Sequence, residues 1–235
     1  MFLFWRLLVA HLVSDFPLQT GWIFKEKTEH SWGVVYHGSV AGILGLAFSW
    51  PYLRSPKAWL ILLLLWLFHI AVDKGKIVLN ARAARIRWLI FVIDQSIHVG
   101  LVWIAATMIG GPALGASVPI YGSNRFFELA SAYLVSTYAV LFLVSSIKGS
   151  RPGAAIALPR PSLRLVEFGE RLAITVLTAL PGYLFCIAPF CLLPRIFLKR
   201  FWPGEISYWE LPLSLVLSAA VGILIREVLM PGHFS

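Results

Sequence analysis

The sequence predicts an all-α fold, a polytopic transmembrane bundle of about seven helices, on three observations. Of its 235 residues, 59% are apolar and only 13% charged, with a positive mean hydropathy; this composition excludes disorder and cannot give a soluble globule a polar exterior. Apolar runs long enough, or nearly so, to cross a hydrocarbon core of about 30 Å recur along the chain. Pro- and Gly-rich breakers separate them.

In order, the runs are Phe2 to Asp15, Val34 to Trp50, Ala58 to Leu79, Ile86 to Ile109, Phe127 to Ile147, Glu167 to Leu198 and Tyr208 to Ile225. The first is short, so a tilted or partial crossing is expected, and Pro17 stops it by denying the backbone a donor. Arg6 interrupts it and no small-x-small cleavage site follows, so it reads as a mature helix and not a signal peptide. Pro181-Gly182 and Pro189 either kink the sixth run or divide it into two helices. The linkers carry Ser55-Pro56, Gly110-Gly111-Pro112, Arg151-Pro152-Gly153 and Pro159-Arg160-Pro161, and no internal repeat is visible. Residues 1–110 are expected to form a four-helix core bearing His and Asp, 111–166 a connecting helix with a Pro/Arg-rich loop, and 167–235 the C-terminal membrane helices, all in one folded unit.

A net charge of +9 raises the question of nucleic acid, but the basic residues punctuate apolar runs and form no stripe, which excludes that partner. Their distribution speaks to topology. With seven crossings, thirteen of the twenty Lys and Arg fall on one side, which the positive-inside rule makes cytoplasmic. The amino terminus is then outside and the carboxyl terminus inside. The basic run from Lys74 to Arg87 also suits anionic lipid heads. Cys186 and Cys191, five apart in an apolar run, lie on different helix sides with no metal-ligand spacing and read as packing residues.

The chain has three aspartates, each four residues from a histidine: His11 with Asp15, His69 with Asp73, and Asp94 with His98. Residues four apart share a helix face, so each pair aims both side chains at one target. Asp15 ends the first run and His37 lies near the start of the second, while Asp73 lies about 8 Å from the exit of the third and Asp94 about 12 Å into the fourth. In an alternating topology all seven groups occupy one leaflet, expected to be cytoplasmic. Ionisable groups at that depth persist when paired, solvated or bound to an ion. His11, Asp15, His37, His69, Asp73, Asp94 and His98 are ligands enough for one or two divalent transition metals, zinc, iron or manganese among them. The competing structural reading is that each pair hydrogen-bonds internally and ties the helices together as polar glue.

Around this constellation, Lys76 follows Asp73 by three residues and can pair with a carboxylate or phosphate, or simply snorkel, as can Lys74. Gln19 and Gln95 are placed to orient a ligand. Glu167 and Arg171 are spaced for an ion pair, and Glu170 is a candidate to reach the cluster as base or ligand. His30 and His233 have no patterned partner and read as solvated.

The motifs His11-Leu-Val-Ser-Asp15-Phe-Pro-Leu-Gln19-Thr20, isolated His37, His69-Ile-Ala-Val-Asp73-Lys-Gly-Lys76 and Asp94-Gln95-Ser-Ile-His98 resemble the bacterial integral-membrane family catalogued as domain of unknown function 3307. The resemblance covers about the first hundred residues, and the Pro- and Arg-rich residues 149–164 depart from it. It implies a polytopic fold in the bacterial inner membrane, and no reaction.

The leading expectation is a membrane-embedded metal-dependent hydrolase of a lipid-linked or membrane-partitioned substrate. Asp15, Asp73, Asp94 or Glu170 would take a proton from water, and Lys76 or Arg171 would balance charge on an ester or phosphate. The same groups would also serve a proton or transition-metal transporter, or stand as structural pairs in a non-catalytic scaffold or partner subunit. The bilayer is the expected partner; the sequence leaves open a protein partner or homo-oligomer.

Overall fold

The computed structural model describes residues 1–151, 153, 158–202 and 204–229; Pro152 and His233, weighed above, lie outside them. Among the described residues the fold is all-α and without strands. The helices are α1 (Phe2–Asp15), α2 (Gly21–Glu29), α3 (Ser31–Phe48), α4 (Pro56–Arg82), α5 (Arg87–Ile109), α6 (Asn124–Leu134), α7 (Val140–Gly149), α8 (Pro161–Ala179), α9 (Leu193–Leu198) and α10 (Glu210–Leu224). Among the described residues, three helical stretches are long and apolar enough to cross a membrane: Ala84–Ile109, Asn124–Gly149 and Glu210–Leu229. Trp32–Phe48 and Gly182–Leu198 are shorter apolar helices.

Each boundary has a local cause. α1 stops before Pro17, with the Phe16 N–H donating to Leu12 O at 3.1 Å. α4 opens on Pro56, whose fixed φ suits a first helical turn. α5 ends at Gly110, which adopts φ +58°. α6 passes into α7 through a π turn, Val135–Ala139. In the sixth apolar run the chain divides: α8 ends ahead of Pro181, Gly182 turns at φ +80°, and 3-10 turns across Gly182–Leu192 lead into α9. Helix α2 has no counterpart among the apolar runs, because its nine residues, GWIFKEKTE, are too few and too charged to register as one. It starts at a capping residue, Thr20, whose Oγ1 accepts from the Ile23 N–H at 3.3 Å.

The chain forms two compact units, Met1–Ser131 with Gly149–Ala154, and Ala132–Lys148 with Ala155–Ser235. In the first, α1 packs on α3 and α5, α3 also on α2 and α4, and α4 on α5. Almost every residue of α1 is buried, Arg6 and Asp15 included. The Arg6 guanidinium is capped by Phe2 O (2.8 Å), Tyr121 O and the Asn124 side chain, and stacks 3.4 Å from the Phe2 ring centroid. It is therefore a staple for the 110–123 connection. α2 turns back against α3 at Gly33, where a Cβ would lie 2.2 Å from Glu26 O. On α5 the inward stripe contains Phe91, Asp94, His98 and Val102, while Trp88, Ile93, Ile97 and Trp103 face outward, an inversion of the soluble-helix pattern.

In the second unit α8 packs on α10 and on the 3-10 segment around Ile174, Ala188, Leu192 and Leu211. Gly222 allows the close crossing: a Cβ there would meet Thr178 Oγ1 at 1.9 Å. Of the two cysteines, Cys191 packs against this core, whereas Cys186 is exposed and is not a packing residue.

Candidate functional site

Four helices of the first unit bring all seven His and Asp candidates together. α1 supplies His11 and Asp15, α3 His37, α4 His69 and Asp73, and α5 Asp94 and His98; all are buried. The i,i+4 spacing explains each pair, and the packing of α1, α3, α4 and α5 explains their convergence. At the centre, His37 Nε2 lies 3.4 Å from Asp15 Oδ1 and 3.4 Å from Asp73 Oδ2. His69 Nε2 lies 3.5 Å and 3.4 Å from the same two oxygens. These separations exceed the 2.7–3.2 Å of an N–H···O hydrogen bond. The pairs within α1 and α5 are longer still, with His11 Nδ1 3.7 Å from Asp15 Oδ1 and His98 Nδ1 3.8 Å from Asp94 Oδ1.

Many buried atoms of the cluster consequently lack a hydrogen-bond partner: His11 Nε2, His69 Nε2, His98 Nε2, both nitrogens of His37, Asp73 Oδ1 and Asp94 Oδ1. Buried polar atoms are normally satisfied, and this concentration is the chief anomaly of the first unit. His98 shows its sense. Its Nδ1 lies 2.9 Å from Asp94 O, which can only accept, so Nδ1 carries the proton and Nε2 presents a lone pair. The His11 and His98 rings stack at 4.9 Å, and His69 meets His98 edge-on at 4.5 Å. Three subsets bring potential ligand atoms within 4.8 Å of one another: His11–Asp15–His69, His37–His69–Asp73 and Asp73–Asp94–His98.

Two lysines and one glutamine complete the site. Lys27 of α2, buried, places Nζ 2.8 Å from Asp73 Oδ2. Lys76 places its own 2.6 Å from Asp94 Oδ2, so it pairs with a carboxylate and does not merely snorkel. Gln95 Nε2 bridges Asp94 Oδ2 at 3.0 Å and Asp15 Oδ2 at 3.3 Å. Gln19, the other amide candidate, lies beyond the end of α1, so helical spacing does not carry it to Asp15; Gln95 holds that carboxylate instead. With imidazoles neutral, three carboxylates face two ammonium groups and one negative charge is left over, which a cation or a proton on an imidazole would offset.

Lys27 escaped the sequence reading because it belongs to α2. The signal was there in principle: a lysine among Trp22, Ile23 and Phe24 on an amphipathic turn. Glu170 and Arg171 are placed elsewhere, in the second unit. Glu170 Oε1 accepts from Arg195 at 2.7 Å, and the Arg171–Glu167 ion pair forms at 3.1 Å as its spacing predicts. Arg195 also reaches Glu167 at 3.2 Å, while Arg171 donates to Ser214 Oγ at 2.9 Å and to Thr137 O in the π turn at 3.1 Å. His30 is exposed as expected, but it has a partner, Glu26, at 2.9 Å.

The fold and site thus define an all-helical protein with a buried His/Asp cluster of metal-ligand composition. A family model described as "Protein of unknown function (DUF3307)" matches residues 3–123, and the chain belongs to that family. The match takes in the seven clustered residues, Lys27, Lys76 and Gln95. No curated protein and no solved structure matches the chain.

Proposed function

We propose that this protein is a metal-dependent hydrolase of the bacterial inner membrane, acting on a lipid-linked or membrane-partitioned substrate. One observation carries the reading. In a tetrahedral centre with bonds of about 2.1 Å, neighbouring ligand atoms stand about 3.4 Å apart. His37 Nε2, His69 Nε2, Asp15 Oδ1 and Asp73 Oδ2 are separated by 3.4–3.5 Å along four edges. That is too far for mutual hydrogen bonds, and the triad His37–His69–Asp73 brings one ligand atom from each residue within 4.8 Å of the others, within reach of a common ion. Lys27, on a further lone pair of Asp73 Oδ2, and Gln95, on Asp15 Oδ2, would orient the two carboxylates.

Zinc, iron or manganese bound there would supply Lewis acidity toward water and substrate oxygen. The residues do the rest. Asp94 keeps Oδ1 without a donor while Lys76 holds Oδ2, which makes it the carboxylate left to take a proton. As water oxygen bonds to the ester carbon or phosphorus, Asp94 accepts one water proton; as the bond to the leaving oxygen breaks, Asp94 returns that proton to it. Lys76 balances the charge that develops.

The membrane reading rests on three long apolar helices and on outward faces rich in Trp, Leu and Ile. Seven crossings, by α1, α3, α4, α5, α6–α7, α8–α9 and α10, would put the amino terminus outside and the cluster in the cytoplasmic leaflet. Labelling of Asn80→Cys from the cytoplasm and of Ile120→Cys from the opposite side is the expected pattern; equal access from one side contradicts it.

Metal analysis of detergent-purified protein tests the centre: wild type retains a transition metal and His69→Ala does not. Equal retention by both removes the assignment. In proteoliposomes, lipid turnover without ion flux separates the hydrolase from a transporter.

A further inference from the structure

The histidine cluster borders a cavity with largely apolar walls. A cavity of ≈ 40 Å³ is bounded by His11, His69 and His98 at one end and by Gly42, Leu62 and Trp66 at the other. Gly42, Leu62 and Trp66 also form the floor of a larger groove, ≈ 260 Å³, between α3 and α4, whose outer walls are Ile43, Leu46, Trp59 and Leu63. Gly42 lets Trp66 pack directly on α3, since a Cβ there would meet Trp66 Cδ1 at 2.8 Å. The groove offers almost nothing to a polar ligand. Its hydroxyl, Ser39 Oγ, already donates to Val35 O at 2.8 Å.

Two features at its inner end call for a polar guest. The indole Nε1 of Trp66 is buried without an acceptor, and His11 Nε2 and His98 Nε2, on side chains more than nine-tenths buried, have no hydrogen-bond partner. From Trp59 to His69, α4 advances about 15 Å, so an apolar trough leads past one hydrogen-bond donor to a set of imidazoles. The trough runs away from Asp73 and Lys76, which lie further along the same helix.

We infer that the groove between α3 and α4 holds the hydrocarbon chain of a lipid substrate, with Trp66 donating to the oxygen that joins the chain to the group presented to the histidines. The assignment rests on the hydrolase reading for what happens at that group, but not for where the chain lies. An amphiphile with a single extended chain meets every wall of the groove with like chemistry and brings an acceptor to the indole. A sugar or nucleotide finds no partner in the groove.

The test uses the full chain in lipid nanodiscs with dodecyl phosphate carrying a diazirine at the chain terminus. Photolabels should fall on Ile43, Leu46, Trp59 and Leu63 and be displaced by unlabelled dodecyl phosphate. Leu63→Trp, a change on an exposed wall that spares the core, should abolish labelling of the groove, and Trp66→Phe should weaken probe binding roughly fivefold, the worth of one hydrogen bond. Labels spread evenly over the outward faces of α5 and α10, or unmoved by Leu63→Trp, overturn the inference. So does exclusion of the probe together with disulfide-linked dimers of Ile43→Cys, which would make the groove an interface between copies. Metal content measured in the same samples separates the two claims. Metal-free protein with groove-confined labels defeats the metal centre alone, and metal-loaded protein with scattered labels defeats the groove alone.

Discussion

The two units each bury a group of charged side chains, and the two groups are built on opposite principles. In the second unit Glu167, Glu170, Arg171 and Arg195 pair two carboxylates with two guanidiniums at N···O separations of 2.7–3.2 Å, supplemented by Ser214 and Thr137, with only Glu170 Oε2 and Arg195 Nε of the set lacking a partner. In the first, Lys27 and Lys76 pair with Asp73 and Asp94 at 2.8 and 2.6 Å, but the His–Asp separations are 3.4–3.8 Å, imidazole nitrogens of all four histidines lack a hydrogen-bond partner, and with imidazoles neutral one negative charge is left over. A buried ionic network whose charges pair two to two within hydrogen-bond distance reads as structure. One whose imidazole nitrogens lack hydrogen-bond partners presents atoms that could hold a metal ion. The proposed function accordingly draws on the first unit and not the second, although both look like costly intramembrane charge to a sequence scan.

The largest effect that can break this contrast is metal loss. Asp73→Asn should reduce metal retention to background, as His69→Ala does, while Arg195→Met should leave it at the wild-type level when the folded fraction is analysed. Metal that follows Arg195 instead would reverse the roles of the units. Next in size is stability. Arg195→Met strands Glu167 and Glu170 without their shared cation and should cost about 3–5 kcal/mol, the usual penalty for breaking a buried pair from one side. Thermal unfolding in detergent reads it, and an unchanged midpoint would show that the second network is not the staple its distances suggest. Smaller again, Gln95→Ala and Lys27→Met remove only the groups that orient Asp15 and Asp73, and should weaken metal affinity by about 10–100-fold without abolishing it. Competition with a chelator measures this, and a loss as complete as in His69→Ala would turn these orienting residues into part of the centre itself.

The helices that carry the site were legible because long apolar runs and i,i+4 spacing are properties of single helices. α1 begins and ends where its run does, and α3, α4 and α5 lie within a few residues of theirs. The three His–Asp pairs follow from spacing alone, and His37 from its depth. What the sequence could not disclose was contact between elements. Lys27 reaches Asp73 from a helix too short to leave an apolar trace, and Arg195 reaches Glu167 and Glu170 because Pro181 and Gly182 turn the chain after α8. Gln19 and Gln95 were equally placed as amide partners until the end of α1 before Pro17 decided for Gln95. Arg6, legible only as an interruption, proves to be the anchor of a connection more than a hundred residues away.

That anchor provides the finest test, because it places a closed network inside the open unit. At one end of α1, Arg6 is satisfied by backbone and side-chain oxygens; toward the other, His11 Nε2 has no hydrogen-bond partner. Beside Arg6, the Tyr121 hydroxyl donates to Phe48 O at 2.9 Å and ties the 110–123 connection to α3. Tyr121→Phe should cost about 0.5–1.5 kcal/mol, seen as a fall of a few degrees in the unfolding midpoint, with metal retention unchanged. Burial, assisted by Tyr52 and opposed by Arg6, pushes this phenol up to about 12. A group that holds its proton more tightly folded than unfolded contributes fully below the unfolded value near 10, and that contribution fades as pH rises through the folded one. The gap in midpoint between wild type and Tyr121→Phe should therefore be constant from neutral pH to about 9 and shrink between about 10 and 12. A gap that instead tracks metal content would mean that the two ends of α1 are coupled, and that the closed network serves the open one.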